Sequence, residues 1–172
     1  DLGGIPLLAE ERDNSHPLVI AGGPCAYNPE PLADFFDLFI IGEGEEINIP
    51  LFRLYKEHKN KGFDKEEFLK DAAKMEGIYV PSFYEVNYSE EGKIKNYNKK
   101  YDFLPNKIKK VYVSKFDETF PLDNLIVPYL ETVHQRSVVE LFRGCTQGCR
   151  FCEAGYIYRP VRERNDDNIV SM

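Results

Sequence analysis

The chain has 172 residues, of which 42% are hydrophobic and 13% aromatic, and this composition excludes a chain that is disordered throughout. Its net charge of -7 argues against a broad basic surface for nucleic acid. No apolar run approaches the roughly 20 residues of a membrane-spanning helix, and no charged-then-apolar leader opens the sequence.

The first 60 residues alternate apolar runs, glycine turns and helical patterns. Residues 17–21 and 38–41 are apolar runs that each end in glycines, and they predict two buried parallel strands. Residues 28–30 predict a helix start, and a second helix is predicted after the next turn. The residues predicted to line one face of each helix are Leu32, Phe35 and Phe36 in the first helix and Ile47, Leu51, Leu54, Tyr55 and His58 in the second. This alternation predicts a doubly wound sheet with ligands at its glycine turns.

Beyond residue 62 the pattern changes from α/β to antiparallel β. Residues 64–67 predict a capped third helix. Residues 83–88 and 93–97 flank a four-residue loop, which predicts a β-hairpin. Alternation over 108–116 predicts a further strand, followed by a proline-containing connector at 120–128. The apolar face of the third helix consists of Phe68, Leu69, Ala72 and Ala73.

The last predicted strand leads into a short loop that carries three thiols. The strand covers residues 137–143, and the loop continues to residue 152. In this loop Cys145, Cys149 and Cys152 have the spacing Cys-x3-Cys-x2-Cys, with glycines among them. Such a loop can fold back and aim all three sulfurs at one point, so these cysteines are the candidate metal ligands.

The donor set limits the metal. Thiolates suit iron–sulfur clusters, zinc or copper(I). Three thiols without a local fourth ligand favour a cubane cluster with one open iron, whereas structural zinc needs a fourth ligand such as His134 or Glu153. Close, odd-numbered clustering predicts metal ligation in a reducing cytoplasm, so the chain is expected to be cytoplasmic. Cys25 stands apart and is expected to be a small loop residue.

Two stretches of the sequence resemble one enzyme family. Residues 140–164, with Phe151 directly before the third cysteine, resemble the signature of radical S-adenosylmethionine enzymes. The glycine turns of residues 22–30 and 39–46 resemble the C-terminal half of the cobalamin-binding-like domain that one branch carries ahead of its radical barrel. The resemblance covers most of the chain.

The resemblance implies an α/β fold in three parts. Residues 1–62 would form the C-terminal half of a flavodoxin-like, cobalamin-binding-like domain with a partial doubly wound parallel sheet. Residues 63–136 would form a connecting unit of one helix and antiparallel β structure. Residues 137–172 would supply the first strand and the cysteine loop of an incomplete (β/α) barrel, which places its chemistry at the C-terminal ends of its strands.

The implied function is that of an iron–sulfur oxidoreductase-like radical enzyme of unknown substrate. A [4Fe–4S] cluster on the three cysteines passes one electron to S-adenosylmethionine, whose C–S bond breaks to give a 5′-deoxyadenosyl radical. Phe151 would lie near the adenine, and Gly22 and Gly23 would face the nucleotide tail of a cobalamin. A domain without the corrinoid is the alternative. No catalytic side chain is identified.

The implied partners are S-adenosylmethionine and an electron donor such as flavodoxin or ferredoxin. As part of a longer enzyme, the chain is expected to be inactive alone. Two other functions stay open: a non-catalytic zinc or iron–sulfur module, and a methylthiolating or methylating radical enzyme that acts on RNA or protein. Stoichiometric zinc with zinc-dependent folding would favour the first of these.

Overall fold

The computed structural model describes residues 3–119, 128–131, 133 and 138–171. It is a mixed α/β structure with small sheets, and it divides into two compact units, Asp1–Tyr112 and Val113–Met172. Within the described ranges no helix is both long and apolar enough to cross a membrane. The sequence predicted three domain parts with boundaries after residues 62 and 136, and this domain assignment stays a prediction.

The first unit is built around a mixed three-stranded sheet. Strand β1 (Ile20–Ala21) pairs in parallel with β2 (Leu38–Ile40), which confirms the parallel pairing predicted from the two apolar runs. Strand β3 (Ile78–Tyr79) pairs with the other edge of β2 in the antiparallel direction. The sheet is therefore mixed, whereas the sequence predicted a purely parallel one.

Two helices cover this sheet where the sequence predicted them. Helix α1 spans Gly44–Asn60 and α2 spans Lys65–Ala72. The Asp64 carboxylate accepts the backbone N–H of Glu67 at 2.9 Å and caps α2 as predicted. The buried core between sheet and helices consists of Leu38, Ile47, Leu51, Phe68, Leu69, Ala72, Ala73, Ile78, Val80, Phe83 and Leu104.

The helix predicted after the first glycine turn is a 3-10 helix instead, Glu30–Phe35. Prolines 29 and 31 lie at the N-cap and in the first turn, where their missing backbone N–H costs no intrahelical hydrogen bond. The segment has six residues and ends at Phe36, whose backbone is extended. Leu32, predicted to lie on the buried face, is 42% exposed. Phe35 and Phe36 are half-buried.

The hairpin prediction is confirmed and the following strand prediction is wrong. Strands β4 (Tyr84–Tyr88) and β5 (Ile94–Lys99) are antiparallel across the predicted loop. Within residues 108–116 the structure has a single parallel bridge, between Gly42 and Val111. The backbone N–H of Val111 donates to the carbonyl of Ile41, and the carbonyl of Val111 accepts the N–H of Glu43, both at 3.0 Å. These two hydrogen bonds attach Val111 to the chain directly after β2. Most of the connector at 120–128 lies outside the described residues.

The second unit carries the cysteine loop between short elements. Strand β6 (Phe142–Arg143) is the end of the strand predicted at 137–143, and β7 (Arg162–Glu163) pairs with it in the antiparallel direction. The chain returns after the loop and supplies β7 as a local partner for β6. Helix α3 spans Ala154–Ile157 and α4 spans Asp166–Ser171.

Candidate metal centre

The first residue of the cysteine loop after β6 is Gly144, which is closely surrounded by backbone atoms. Gly144 has a φ of +100°, and a Cβ at this position would lie 2.8 Å from the Cα of Val161 and 2.9 Å from the carbonyl oxygen of Tyr158. Both the backbone conformation and the close approach require glycine here. The entrance to the loop is therefore fixed against the segment that leads into β7.

The far half of the loop lies against the start of α3. The backbone N–H of Cys152 donates to the carbonyl of Cys149 at 3.2 Å and forms a turn. Gly155 in α3 is buried, and a Cβ there would lie 3.6 Å from the carbonyl oxygen of Cys145 and 3.8 Å from the backbone nitrogen of Gly148. These are ordinary van der Waals distances, so the loop packs directly on the start of α3.

The three candidate ligands share this loop but are not equally accessible. Cys145 and Cys152 are half-buried and Cys149 is exposed, and none of them forms a disulfide. Phe151, predicted to lie near an adenine, is 91% exposed.

The type of donor on this loop suits an iron–sulfur cluster, because three soft thiolates occur within eight residues. Among the described residues, however, no three His, Cys, Asp or Glu side chains are grouped so that they could hold a metal ion. Ligation by Cys145, Cys149 and Cys152 therefore stays a prediction. Of the proposed zinc ligands, Glu153 is exposed and His134 lies outside the described residues.

A buried arginine holds the strand that delivers the loop. Arg164 is 5% exposed, and its Nε donates to the carbonyl of Glu140 at 2.9 Å. One terminal nitrogen donates to the carbonyl of Phe116 at 2.9 Å, and the backbone N–H of Arg164 donates to the carbonyl of Leu141 at 2.9 Å. The guanidinium thus ties β6 to a 3-10 helix at Phe116–Glu118.

Three arginines surround one phenylalanine at this point. The guanidinium carbons of Arg164, Arg143 and Arg162 lie 4.3, 5.1 and 5.8 Å from the centre of the Phe116 ring, which is buried. Neither Phe116 nor Arg164 belongs to a motif that marks it in the sequence. The contact spans 48 residues and no local pattern signals it.

The same 3-10 helix is tied to the start of α4. The Asp117 carboxylate accepts the backbone N–H of Asn165 at 2.7 Å. This hydrogen bond, one from Asn168 and the charge of Arg164 together hold the pKa of Asp117 below its ordinary value of 3.8. Asn165 in turn accepts the N–H of Asp167 at 2.9 Å with its side-chain oxygen and so caps the start of α4.

The predicted corrinoid-facing glycines lie in the turn after β1. Gly23 has a φ of +90°, and the space beside its Cα is open. Its carbonyl accepts the N–H of Ala26 at 3.0 Å, so it begins a 3-10 helix, Pro24–Tyr27, in which Cys25 is exposed. Gly22 makes only ordinary contact with Ile40, at 3.8 Å for an added Cβ. A role of Gly22 and Gly23 in binding a cofactor stays a prediction.

Comparison with known proteins points to one family. Residues 1–81 match the model described as the N-terminal region of radical SAM proteins. The chain is 29% identical over 168 residues to an uncharacterised protein of Methanocaldococcus jannaschii; the alignment covers 94% of this chain and 29% of that relative. The chain thus spans less than a third of the length of the relative. No solved structure matches the chain.

The family match supports a radical SAM protein, a family of enzymes that in general use a [4Fe–4S] cluster and S-adenosylmethionine. The matched residues end at position 81, so the match does not include the cysteine loop. The motif at Cys145, Cys149 and Cys152 is therefore a second observation from a separate part of the chain.

The two glycines of the loop should respond differently to alanine. Gly144→Ala places a methyl group against backbone atoms and is expected to destabilise the β6–β7 pair by roughly 2 to 4 kcal/mol. Gly148 has a φ of +64° but open space around it, so Gly148→Ala should cost only about 1 kcal/mol. Amide hydrogen exchange at Arg143 and Arg164 measures both. Equal effects would show that the close approach at Gly144 does not constrain the loop.

Proposed function

We propose that this chain is part of a radical S-adenosylmethionine enzyme in which Cys145, Cys149 and Cys152 hold a [4Fe–4S] cluster. The observation that supports it best is the agreement of two separate segments. The first 81 residues match the N-terminal region of radical SAM proteins, and the three-cysteine loop with the spacing of that family follows about 60 residues later.

In this proposal each part of the second unit has a task. Cys145, Cys149 and Cys152 would hold the cluster and, as three ligands, would leave it open to S-adenosylmethionine. When bound, the cluster supplies one electron for the reductive cleavage of S-adenosylmethionine. Phe151 offers an exposed apolar face to the adenine. Gly144, Gly155 and the buried Arg164 keep the loop in place on β6 and α3.

The finer assignments form part of the same proposal. Residues 1–62 belong to a cobalamin-binding-like domain, 63–136 connect it to the barrel, and 137–172 begin the barrel. Gly22 and Gly23 lie at a sheet edge where a corrinoid tail would be bound. The electron donor is a flavodoxin or ferredoxin in the cytoplasm. The parallel β1–β2 pair with a glycine turn after β1 supports the first of these assignments.

The test is anaerobic reconstitution with iron and sulfide. The protein at its native length should acquire a cluster whose electron paramagnetic resonance spectrum, after reduction, changes when S-adenosylmethionine is added. A cluster without that change would contradict a radical SAM enzyme. Stoichiometric zinc, with folding that depends on it, would instead identify a structural metal module.

A further inference from the structure

The β4–β5 hairpin has two chemically different faces. Residues that are opposite one another in the two strands lie on the same face, as Val86 and Tyr97 do. The first face carries Tyr84, Val86, Tyr88, Ile94, Tyr97 and Lys99, and the second carries Glu85, Asn87, Asn96 and Asn98. Tyr88 is 56% and Tyr97 46% exposed. An aromatic sheet face of this kind is left without full cover in the first unit.

The β4 residues of this face, Tyr84, Val86 and Tyr88, line one side of a groove with a volume of about 1120 Å³. The 3-10 helix Glu30–Phe35 and residues 8–14 contribute further lining, together with the first turn of α2. Leu69, Tyr79 and Phe83 line it as well and are themselves buried. The groove is larger than a typical site for a small molecule, which measures roughly 300–1,000 Å³.

The charge of the lining is predominantly negative. The carboxylates that line the groove belong to Glu10, Asp13, Glu30, Asp34, Asp37, Asp64 and Glu66. Of the basic residues in this lining, Arg12 and Lys65 form ion pairs with the buried Asp37 and donate hydrogen bonds to backbone carbonyls. Lys100 is the remaining basic residue in the lining. The groove therefore combines aromatic side chains with an excess of carboxylates.

Two of these carboxylates are available to a ligand. Among the residues that the structure describes, Glu10 and Asp34 form neither a hydrogen bond nor an ion pair, and Asp34 is exposed. Glu30 lies deeper and accepts a short hydrogen bond from the hydroxyl of Tyr79. Burial of Tyr79, together with this bond, raises the pKa of the Tyr79 phenol, so the phenol remains a donor to Glu30. A carboxylate next to aromatic rings is a favourable environment for an organic cation.

We propose that this groove binds an extended segment of a partner protein in which basic and apolar side chains alternate. Side chains of an extended chain point alternately to opposite sides. The basic set can therefore meet Glu10, Asp34 and Glu30 while the apolar set packs on Val86 and Tyr88. Nucleic acid is disfavoured because its phosphates would face the carboxylates.

A second copy of the chain is a poorer occupant. Antiparallel pairing of two β5 strands centred on Tyr97 would place Lys95 opposite Lys99 twice, and like charges in opposite positions are destabilising. Lysines on an edge strand are a common protection against such pairing. The negative lining requires a basic partner. The lysines of β5 lie beside the lining carboxylates, so pairing of two β5 strands would not place these lysines opposite the carboxylates.

The test uses the protein at its native length and a short capped peptide in which lysine and valine alternate. A peptide of the same composition, with all lysines before all valines, is the matched probe. Isothermal titration calorimetry should show at least about tenfold tighter binding of the alternating peptide. Glu10→Gln combined with Asp34→Asn should weaken it roughly tenfold, since two exposed ion pairs are lost. Tyr88→Ser should weaken it by a similar factor.

Matched controls remove the same charges and side chains elsewhere. Glu57→Gln combined with Glu85→Gln neutralises a position on α1 and one on the polar face of the hairpin, and Asn87→Ser alters that same face. Both should bind as the parent chain does. If both peptides bound with equal affinity and the groove variants did not change it, the binding would be diffuse electrostatic attraction. That result would overturn the proposal. Spermidine that binds as tightly, with the same sensitivity to the variants, would overturn it in favour of a polyamine site.

Discussion

Replacing Cys145, Cys149 or Cys152 singly with alanine should lower the cluster content of the reconstituted chain to near background. An iron left without its thiolate is exposed to solvent, and a cubane cluster on two protein ligands is not expected to persist. Iron and sulfide per chain, measured after anaerobic reconstitution and gel filtration, give the result. Cys25→Ala is the matched control, because Cys25 is an exposed cysteine on a different element and should leave the cluster content unchanged.

Thiol accessibility gives an independent measurement of the same prediction. In the metal-free chain Cys149 is exposed, whereas Cys145 and Cys152 are half-buried, so an alkylating reagent should modify Cys149 first among the three. Reconstitution should then protect all three thiols together and leave Cys25 reactive. Protection of only one or two of the loop thiols, or retention of the cluster in any one of the three alanine variants, would contradict the ligand set.

Local patterns were sufficient to predict most elements of the first unit. The apolar run at residues 38–41 gave β2, the helical spacing after Gly44 gave α1, and the carboxylate of Asp64 gave the start of α2. Each of these depends on side chains within a few residues of one another. Their burial follows directly, because the apolar positions define the face that meets the sheet.

The errors come from contacts that the local pattern does not contain. The segment at 108–116 alternates like a strand, but only Val111 meets the sheet, at the position of Gly42. The helix expected after residue 28 is a six-residue 3-10 helix that ends where the backbone becomes extended at Phe36, and the local pattern does not contain that end. The strand β7 could not be foreseen because its two residues pair only after the loop has returned to β6.

The candidate sites divide in the same way. The candidate donor set of the cysteine loop follows from residue identity and spacing, which are local properties of residues 145–152, and its binding of a metal stays a prediction. The support from Phe116 and Arg164 could not be predicted, because it joins positions 48 residues apart. The groove in the first unit was equally hidden, as its lining residues range from Leu8 to Tyr101. A sequence pattern indicates which chemistry a loop carries, whereas the fold decides what surrounds it.

Asp37→Asn should destabilise the first unit by roughly 3–5 kcal/mol, the cost of removing one partner from a buried ion pair. The Asp37 carboxylate lies 3.1 Å from the Nε of Arg12 and 2.7 Å from the Nζ of Lys65, and it also accepts the backbone N–H of Val19 at 2.7 Å. The amide could preserve the bond to Val19, but it would leave two cations without a counter-charge. Arg12 is fully buried and cannot recover that charge from solvent.

A loss of this size matters because the whole stability of a small domain is about 5–15 kcal/mol. Urea unfolding followed by circular dichroism measures it, with Asp34→Asn as the control. Asp34 is exposed, lies three positions earlier and forms no ion pair within the described residues, so its variant should stay within about 0.5 kcal/mol of the parent. A cost below about 1 kcal/mol for Asp37→Asn, typical of an exposed ion pair, would show that water reaches the side chains of Arg12, Asp37 and Lys65 and that they do not fasten residues 6–12 to the sheet.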